Sequence, residues 1–476
     1  MSRLVRVGHV LKPPQLLSLR ASSTISNALR QIQTQQPSLA VDSSQVKILN
    51  LPQEFYSTLL ERIKNAKSRI FLSSLYVGHD EHELLHALED ALKTKPNLQV
   101  HLQLDYFRST RPGADSTALA LLPLVKAYSD RIHVNLYRSP TLKGLTARIV
   151  PRRFDEGWGT WHAKVYGTDN DIIISGQSQP QSEHFVNRQD RYIAFTEHKG
   201  LADYCAEFLD IFSRHSFSLQ PSRSKPYALE WRSKDGEYQT FVPRLRQELE
   251  SFQHRHRARE PSKQSDVQLI PMIQSGPLDI REEERALSNL LYTFSRSHQS
   301  HVDLTSGYFA LYEPYRLLVY NSQCRWKILA ASPKANGFYG SKGISGRIPD
   351  GYTILEREFW KGVKLSRKAD QVDLREWEKA GWTYHAKGIW LRPKSDEHPT
   401  TTVFGSTNLN SRSANLDTEL SFIMHTQSES LRARLHDEAN RIWANASTAG
   451  EETWSQPSRK PTFTTEMIVR LVRDML

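Results

Sequence analysis

The sequence predicts an α/β fold built from two pseudo-twofold-related α-β-α sandwich domains, with one active site at their interface. Two observations lead to this prediction. A short sequence motif, called a phrase below, occurs twice: His162 and Lys164 of the first phrase correspond to His385 and Lys387 of the second. A similar order of strands and helices surrounds both copies, and each copy is followed one strand later by a turn rich in glycine and serine. Repetition of element order at a fixed spacing indicates internal duplication.

The first domain is predicted over residues 46–213. Leu84, Leu88 and Leu92 share one helical face between two short apolar runs. A strand, a helix and a strand within about 35 residues form a βαβ unit, which predicts parallel strands. The predicted strands are 70–76, 100–105, 133–137, the strand of the first phrase and 171–175, and the predicted helices are 55–63, 81–95, 117–128 and 200–213.

The second domain is predicted over residues 267–450 and follows the same order. Its first helix carries Leu287, Leu290, Leu291 and Phe294 at helical spacing. The predicted strands are 268–272, 302–306, 326–331, the strand of the second phrase and 401–404, and the predicted helices are 280–296 and 314–322.

Three segments fall outside these domains. Residues 1–40 contain five basic residues, several serines and no Asp or Glu, a composition typical of a mitochondrial transit peptide. Residues 214–266 include a basic run at 253–259 and predict a solvated linker, with a membrane-facing arm as the alternative. Residues 451–476 predict a C-terminal tail with a short amphipathic helix that packs on the body of the protein, with a membrane-interface helix as the alternative.

The overall composition indicates an anionic partner. The formal net charge of the 476 residues is +11, which favours an acidic membrane, a phosphorylated substrate or nucleic acid. No apolar run reaches the roughly 18 residues that a membrane-spanning helix needs, so we expect peripheral membrane contact. Cys205 and Cys324 are too few and too far apart for a disulfide framework or a zinc site.

The duplicated phrase suits phosphoryl transfer. Side chains at i and i+2 of a strand project to the same face, so each histidine should lie beside its lysine. One neutral imidazole can attack phosphorus and form a phosphohistidine, while the other acts as general acid and base. Lys164, Lys387, Ser406 and Asn408 would stabilise the charge on the nonbridging oxygens.

Carboxylates should fix the orientation of the two imidazoles. The candidates are Asp169, Asp190, Asp417 and Glu419. Such a site needs no metal, and no carboxylate-rich metal cluster stands out in the sequence. We therefore expect neither a metal nor another cofactor.

The phrases resemble the signature of the phospholipase D superfamily, in which His-x-Lys is followed by Asp and then by a Gly-Ser or Gly-Ala turn ending in Asn. The first copy matches through His162, Lys164 and Asp169, and the second through His385, Lys387, Ser406 and Asn408. Ser178 stands where the first copy should have the phosphate-binding Asn, and Arg392 stands where the second should have Asp. The resemblance implies two phospholipase D-like domains with His162 as nucleophile and His385 as general acid/base, although pseudo-symmetry leaves the two roles exchangeable.

More narrowly, the chain resembles the family of eukaryotic mitochondrial phosphatidylglycerophosphate synthases, from about Leu51 to beyond the second phrase. The matching strings are 74–78, 104–111, 187–192 and 335–340. This resemblance implies attack on CDP-diacylglycerol, release of CMP and transfer of the phosphatidyl group to glycerol-3-phosphate, at the matrix side of the inner membrane. We expect four arginines to hold phosphate groups, because a guanidinium fork matches phosphate oxygens; these are Arg108, Arg111, Arg188 and Arg191.

Three alternatives stay open at this point. A related phosphatidyltransferase would use serine or phosphatidylglycerol as acceptor. A phosphodiesterase would use water, on a lipid or on nucleic acid, which a basic surface would also suit. A lipid-binding protein without catalytic activity is the third, although two intact His-Lys pairs argue against it. We expect no nucleic-acid partner.

Overall fold

The computed structural model describes residues 25–473, except 79–80, 114–115, 144–148, 152–153, 177–186, 234–236, 239, 259–264 and 395–396. The strands are β1 (Leu39–Val41), β2 (Val46–Leu49), β3 (Arg69–Ser73), β4 (Gln99–Asp105), β5 (Ile132–Tyr137), β6 (Val165–Thr168), β7 (Asp171–Ser175), β8 (Arg188–Gln189), β9 (Tyr192–Phe195), β10 (Phe217–Gln220), β11 (Ala228–Trp231), β12 (Val267–Ser275), β13 (Ile280–Arg281), β14 (His301–Ser306), β15 (Arg325–Ala331), β16 (Val372–Trp377), β17 (Thr383–Tyr384), β18 (Lys387–Arg392), β19 (Thr401–Gly405), β20 (Thr418–Thr426) and β21 (Ala446–Thr448). The α-helices are 25–35, Pro52–Asn65, His82–Thr94, Tyr106–Ser109, Thr117–Ala127, Lys199–Arg214, Val242–Arg257, Glu282–Ser295, Glu313–Tyr320, Ile348–Leu365, Ser411–Asn415, Glu429–Trp443, Glu451–Ser455 and Phe463–Val472.

Two large mixed sheets confirm the predicted α/β class. The first has the order β11-β10-β5-β4-β3-β6-β7-β9-β2, and the second has β1-β12-β20-β19-β18-β14-β15-β16-β21. In each sheet three consecutive strands are parallel, namely β3-β4-β5 and β14-β15-β16, and the strand after each phrase joins them antiparallel. The repeated topology shows that the two halves are related copies.

The two sheets share one central hydrophobic layer. Phe195 of β9 stacks on Phe404 of β19 with ring centroids 6.4 Å apart, within a continuous core that draws side chains from both halves. Two further cores lie on the outer faces, one beneath the helices of each half. Large apolar side chains contribute about 1.5–3 kcal/mol each when fully buried, so this shared layer fixes the two halves against each other.

Two segments are more ordered than the sequence predicts. Residues 25–35 are helical, and Ile25, Leu29 and Ile32 pack in the outer core of the second half, followed by β1 on the edge of its sheet. The region predicted as a linker forms β10, β11 and the helix Val242–Arg257. The prediction of a linker was wrong there, because Leu245, Leu249 and His256 are buried on one face of this helix, while His254, Arg255 and Arg257 are exposed as expected.

The C-terminal tail contains the predicted helix, Phe463–Val472, which packs on the helix Ile348–Leu365 through Val469. Within the described residues no helix combines the length and hydropathy needed to cross a bilayer. Both cysteines are buried and free.

Candidate active site

Each phrase is held in place by a strand of the opposite half. The backbone N–H of His162 donates to the carbonyl of Thr418, at the start of β20, with an N–O distance of 2.9 Å. In the second copy the N–H of His385 donates to the carbonyl of Gln189, also at 2.9 Å, and β17 pairs with β8 in parallel. The two phrases therefore meet at the interface, as the sequence predicts.

The opposite half also provides each histidine with a carboxylate partner. His162 Nδ1 lies 2.9 Å from both carboxylate oxygens of Glu419. His385 Nδ1 lies 2.7 Å from Asp190 Oδ2. All four side chains are buried. A carboxylate on Nδ1 favours the proton there and leaves Nε2 available, so each half supplies the carboxylate that orients the histidine of the other.

The two lysines lie beside their histidines, as strand geometry predicts. Lys164 Nζ donates to the carbonyl of His162 at 2.6 Å. Lys387 Nζ donates to the carbonyl of Gly176 at 2.8 Å and lies 2.9 and 3.2 Å from the two ring nitrogens of His385. Both lysine side chains are buried, and burial lowers the pKa of Lys164 well below its ordinary value, an effect that the nearby Glu419 opposes.

Burial and charge adjust the proton affinities of these groups. Burial, and then the nearby positive charges of Arg188 and Lys387, lower the pKa of His385 well below its ordinary value. Burial also lowers the pKa of His162, while Glu419 opposes that shift. Although burial works against ionisation, the interaction with His162 lowers the pKa of Glu419 to about 2. Burial lowers the pKa of Lys387 to about 8.

The second glycine-serine turn lies beside the first histidine's carboxylate. Ser406 Oγ accepts from the N–H of Leu420 at 3.1 Å, and this hydroxyl also helps to lower the pKa of Glu419, although burial opposes that shift. Asn408 is buried, and its side-chain oxygen has no hydrogen-bond partner in the described part of the chain. A buried amide oxygen without a partner is costly, so this side chain is a candidate for contact with substrate.

Close packing at Gly176 fixes the other side of the site. A Cβ at this position would lie 2.4 Å from Asp190 Oδ1, so only glycine fits. Its carbonyl accepts from Lys387, which makes the turn part of the charged cluster. Ser178, predicted to replace the family's Asn in this turn, lies outside the described residues, as do 177–186 as a whole.

One wall of the site is aromatic. Tyr308 meets His385 edge-on with centroids 5.2 Å apart and also stacks on Tyr352 at 5.5 Å. Arg188 is buried near His385, and its positive charge helps to lower the pKa of that imidazole, after burial. A phosphate-binding role for Arg188 stays a prediction.

The other predicted arginines differ in their surroundings. Arg108 Nε lies 3.0 Å from Glu156, and Arg111 forms a two-point ion pair with the same carboxylate at 2.6 and 2.7 Å. Arg191 is not a phosphate clamp. It is buried against Trp390 and donates twice to Glu438, at 2.9 and 2.8 Å, which makes it a structural link between the halves.

Two of the predicted orienting carboxylates do not contact a histidine. Asp417 accepts from the N–H and hydroxyl of Thr160 and from Arg412 Nε at 3.0 Å, which fixes the approach to the first phrase. Asp169 lies at the far end of β6, in a turn where its φ is +51°. Its carboxylate accepts from the backbone N–H groups of Lys67, Ser68 and Arg69, so the prediction that it acts on a catalytic histidine was wrong.

The position of Asp169 also accounts for Arg392. Both residues stand seven places after their histidine, at the end of the following strand. Arg392 pairs there with Asp303 through Nη2 at 2.7 Å. Each residue fixes the end of its strand through these contacts. This role is structural, so an acidic or a basic residue can fill it.

Sequence reasoning missed Asp105 as a positioning residue. Asp105 is fully buried at the end of β4 and accepts from the N–H of Trp161 at 2.9 Å, directly before the first histidine. Burial raises the pKa of Asp105 to about 7. An acidic residue ending a central parallel strand was the available signal, because functional groups collect at that edge.

One group of donors could in principle hold a cation. The candidate ligand atoms of His162, Asp417 and Glu419 lie within 4.8 Å of one another. Glu419 is already engaged by His162, and Asp417 by Thr160 and Arg412, while the ammonium of Lys164 adds positive charge. The donor set therefore fits an imidazole-carboxylate pair better than a metal centre, and the expectation of a metal-free site stays a prediction.

The chain is similar to curated phosphatidyltransferases over most of its length. It is 33% identical to the CDP-diacylglycerol–glycerol-3-phosphate 3-phosphatidyltransferase of Gallus gallus, named as mitochondrial, over 92% of this chain and 85% of that one. It is also 33% identical to the enzyme of the same name from Schizosaccharomyces pombe, over 85% and 90% of the two chains. No protein-family model matches the chain.

Among solved structures, the phosphatidylserine synthase of Haemophilus influenzae has a similar fold. The TM-score is 0.70, with 20% identity over 94% of this chain and 97% of that one. At this identity the likeness concerns the fold alone, and it agrees with two phospholipase D-like domains. The sequence similarity to the curated enzymes goes further, and by it this chain belongs to the CDP-diacylglycerol–glycerol-3-phosphate 3-phosphatidyltransferase family.

Proposed function

We propose that the protein transfers the phosphatidyl group of CDP-diacylglycerol to glycerol-3-phosphate through a phosphohistidine, giving phosphatidylglycerophosphate and CMP. The observation that carries the mechanism is the crossed pair of histidine-carboxylate contacts at one interface. The choice of CDP-diacylglycerol as donor and glycerol-3-phosphate as acceptor is based on the names of the related enzymes.

In the first step His162 Nε2 attacks the phosphatidyl phosphorus, the N–P bond forms and the P–O bond to CMP breaks. The nearly full negative charge of Glu419 on Nδ1–H increases the basicity of this imidazole, which favours His162 as the nucleophile. His385 supplies a proton to the leaving phosphate oxygen. The negative charge of the bound diphosphate should raise the pKa of His385 by offsetting the cations around it.

In the second step the hydroxyl of glycerol-3-phosphate gives its proton to His385, the new O–P bond forms and the N–P bond breaks. Lys164, Lys387 and Asn408 surround the nonbridging oxygens in both steps. They can lower the barrier because they are already fixed in a buried site. Arg188 is the clamp that the geometry favours for a second phosphate, since it is buried beside His385.

The test of this function is the acceptor dependence of CMP release. Purified protein is mixed with CDP-diacylglycerol in detergent micelles and, in separate reactions, with glycerol-3-phosphate, serine, phosphatidylglycerol or no acceptor. We expect CMP and a phosphorylated glycerolipid with glycerol-3-phosphate only. Equal release without acceptor would indicate a hydrolase, and release with serine or phosphatidylglycerol a different phosphatidyltransferase. Cleavage of DNA in place of lipid would indicate a nuclease.

The pH profile of kcat, measured at saturating donor, should be bell-shaped, since bound diphosphate is expected to keep the general acid His385 protonated. Activity should rise as His162 loses its proton, at a pH below 6.5 because burial lowers the pKa of this imidazole. It should fall as Lys387 loses its charge, through about pH 8. Lys387→Arg should keep part of the activity and move the alkaline limb upward by more than about one pH unit, because guanidinium stays charged. Lys47→Arg, at an exposed lysine, is the matched control; an unmoved alkaline limb in Lys387→Arg would contradict this assignment.

We also propose that the protein works in mitochondria, on the matrix side of the inner membrane, in peripheral contact with anionic lipid. The relatives from Gallus gallus and Mus musculus are named as mitochondrial, and residues 1–24, which lie outside the described residues, have an Arg-rich composition without acids. Fusion of residues 1–40 to a fluorescent protein should direct it to mitochondria. A cytosolic distribution would contradict the proposed address.

A further inference from the structure

The C-terminal segment forms one wall of a large surface groove. The groove has a volume of about 800 Å³ and lies between the helix Ile348–Leu365 and residues 451–473. Arg347 ties the two walls together by donating to the hydroxyls of Thr462 and Thr465 at 3.0 and 3.3 Å. Val469 completes the contact by packing with Tyr352 and Leu355.

This helix pair exposes large apolar side chains on its outer side. Phe463 is 78% exposed and Met467 is 43% exposed. They stand at i and i+4 of the same helix and so share one face, opposite the buried Thr465 and Val469. Leu365, at the end of the neighbouring helix, is 76% exposed. Phe463 and Met467 together form an exposed apolar patch on the C-terminal helix, which indicates a surface that meets another apolar phase.

The charges around the groove are mainly positive. Among the described residues, Arg357, Lys361 and Lys460 line the groove and take part in no salt bridge. Three carboxylates also line the groove: Glu358 and Glu451 are neutralised by Arg473 and Lys364, which leaves Glu466 against the three unpaired cations. A basic face beside exposed aromatic and aliphatic side chains is typical of an element that lies in the interface of an anionic bilayer.

The same helix pair reaches the active site. Tyr352 contacts Val469 in the small core under the C-terminal helix and also stacks on Tyr308. Tyr308 in turn meets the ring of His385. Val469, Tyr352 and Tyr308 therefore connect the buried face of the C-terminal helix to the ring of His385, so this helix belongs to the packing around the second histidine.

We propose that the C-terminal helix Phe463–Val472 and the basic groove beside it dock the enzyme on an anionic bilayer. This inference rests on the proposed function for the lipid nature of the substrate. Phe463 and Met467 insert among the headgroups, while Arg357, Lys361 and Lys460 attract the negative lipid charge. Contact through this surface would hold the second domain, which carries His385, against the lipid.

The test is co-sedimentation of the full chain with vesicles, measured without turnover. We expect strong binding to vesicles of phosphatidylcholine with 30% phosphatidylglycerol (about this fraction provides a clearly anionic surface) and weak binding to phosphatidylcholine alone. The double variant Phe463→Glu and Met467→Glu should bind the anionic vesicles at least about ten-fold more weakly, because it loses apolar insertion and adds repulsion. Leu51→Glu is the matched control, since Leu51 is a similarly exposed apolar residue on the first domain.

Activity in two substrate forms separates this proposal from the proposed function. The double variant should lose activity on vesicle-borne CDP-diacylglycerol and keep that on detergent-dispersed substrate, because neither side chain contacts the site. Equal vesicle binding by wild type and double variant would overturn the docking surface, as would an equal loss in Leu51→Glu. Absence of micelle activity in the wild type would instead overturn the proposed function while leaving the binding result interpretable.

Discussion

Replacing His162 with Asn should reduce CMP release by at least about 10³-fold, because the attacking nitrogen is lost. Replacing His385 with Asn should reduce turnover by a similar factor for a different reason, since the acceptor hydroxyl then has no base. Both histidines are buried at the interface and paired with a carboxylate, so neither can be replaced by a neighbour. The measurement is CMP release with glycerol-3-phosphate in detergent micelles.

The covalent intermediate distinguishes the two roles. With a phosphatidyl-labelled donor and no acceptor, His385→Asn should accumulate label on the protein slowly, because the leaving oxygen is no longer protonated, and in the alkali-stable, acid-labile form expected of a phosphohistidine. His162→Asn should accumulate none. The opposite pattern would assign the nucleophile to His385. His298→Asn, at an exposed histidine, controls for a general effect of the substitution.

Removing the charge of the crossed carboxylates should be the second most damaging change. Glu419→Gln keeps the size of the side chain and an oxygen that can accept from Nδ1–H, but it removes the negative charge behind the nucleophile. We expect kcat to fall by about 10²–10⁴-fold with little change in KM. The acidic limb of the pH profile should also move to lower pH, because Glu419 holds up the proton affinity of His162. Asp190→Asn should produce a comparable loss through His385.

The control for these variants is Glu282→Gln. Glu282 is a carboxyl whose pKa burial raises to about 7, and it accepts from the N–H of Ile273 at 2.9 Å, outside the site. Its replacement should leave the kinetic constants within about three-fold of the wild type, as expected for a change away from the chemistry. If Glu419→Gln shows only a loss of thermal stability and an unmoved pH profile, Glu419 has a structural role and its positioning role is excluded.

Much of the architecture could be predicted from the duplicated phrase, because strand and helix order is a local property of the chain. The identity of each histidine's partner could not be assigned in the same way. Glu419 lies 257 positions from His162, and Asp190 lies 195 positions from His385. No local pattern marks such pairs, since the two halves must pack before they meet. The sequence offered four candidates and gave no means to choose between them.

For Asp169 the prediction failed for the opposite reason, because a residue close to His162 in sequence is far from it in space. Asp169 lies seven positions after His162, beyond the four residues of β6, and an extended chain of that length spans roughly 20 Å. A residue in the same motif therefore lies at the opposite end of the strand. The prediction of a linker over 214–266 failed for a related reason. In the helix Val242–Arg257 the few apolar residues form one buried stripe, and charged residues outnumber them.

Because each half provides the carboxylate for the histidine of the other, the proposed site can form only in a chain that has both halves. A chain that has folded only through residue 213 possesses a full first phrase but a nucleophile without Glu419. Such a chain also lacks His385, so under the proposed mechanism it could not cleave the donor. The proposed site is complete only after β20 of the second sheet has formed. An incomplete molecule would therefore not hydrolyse or transfer the donor lipid.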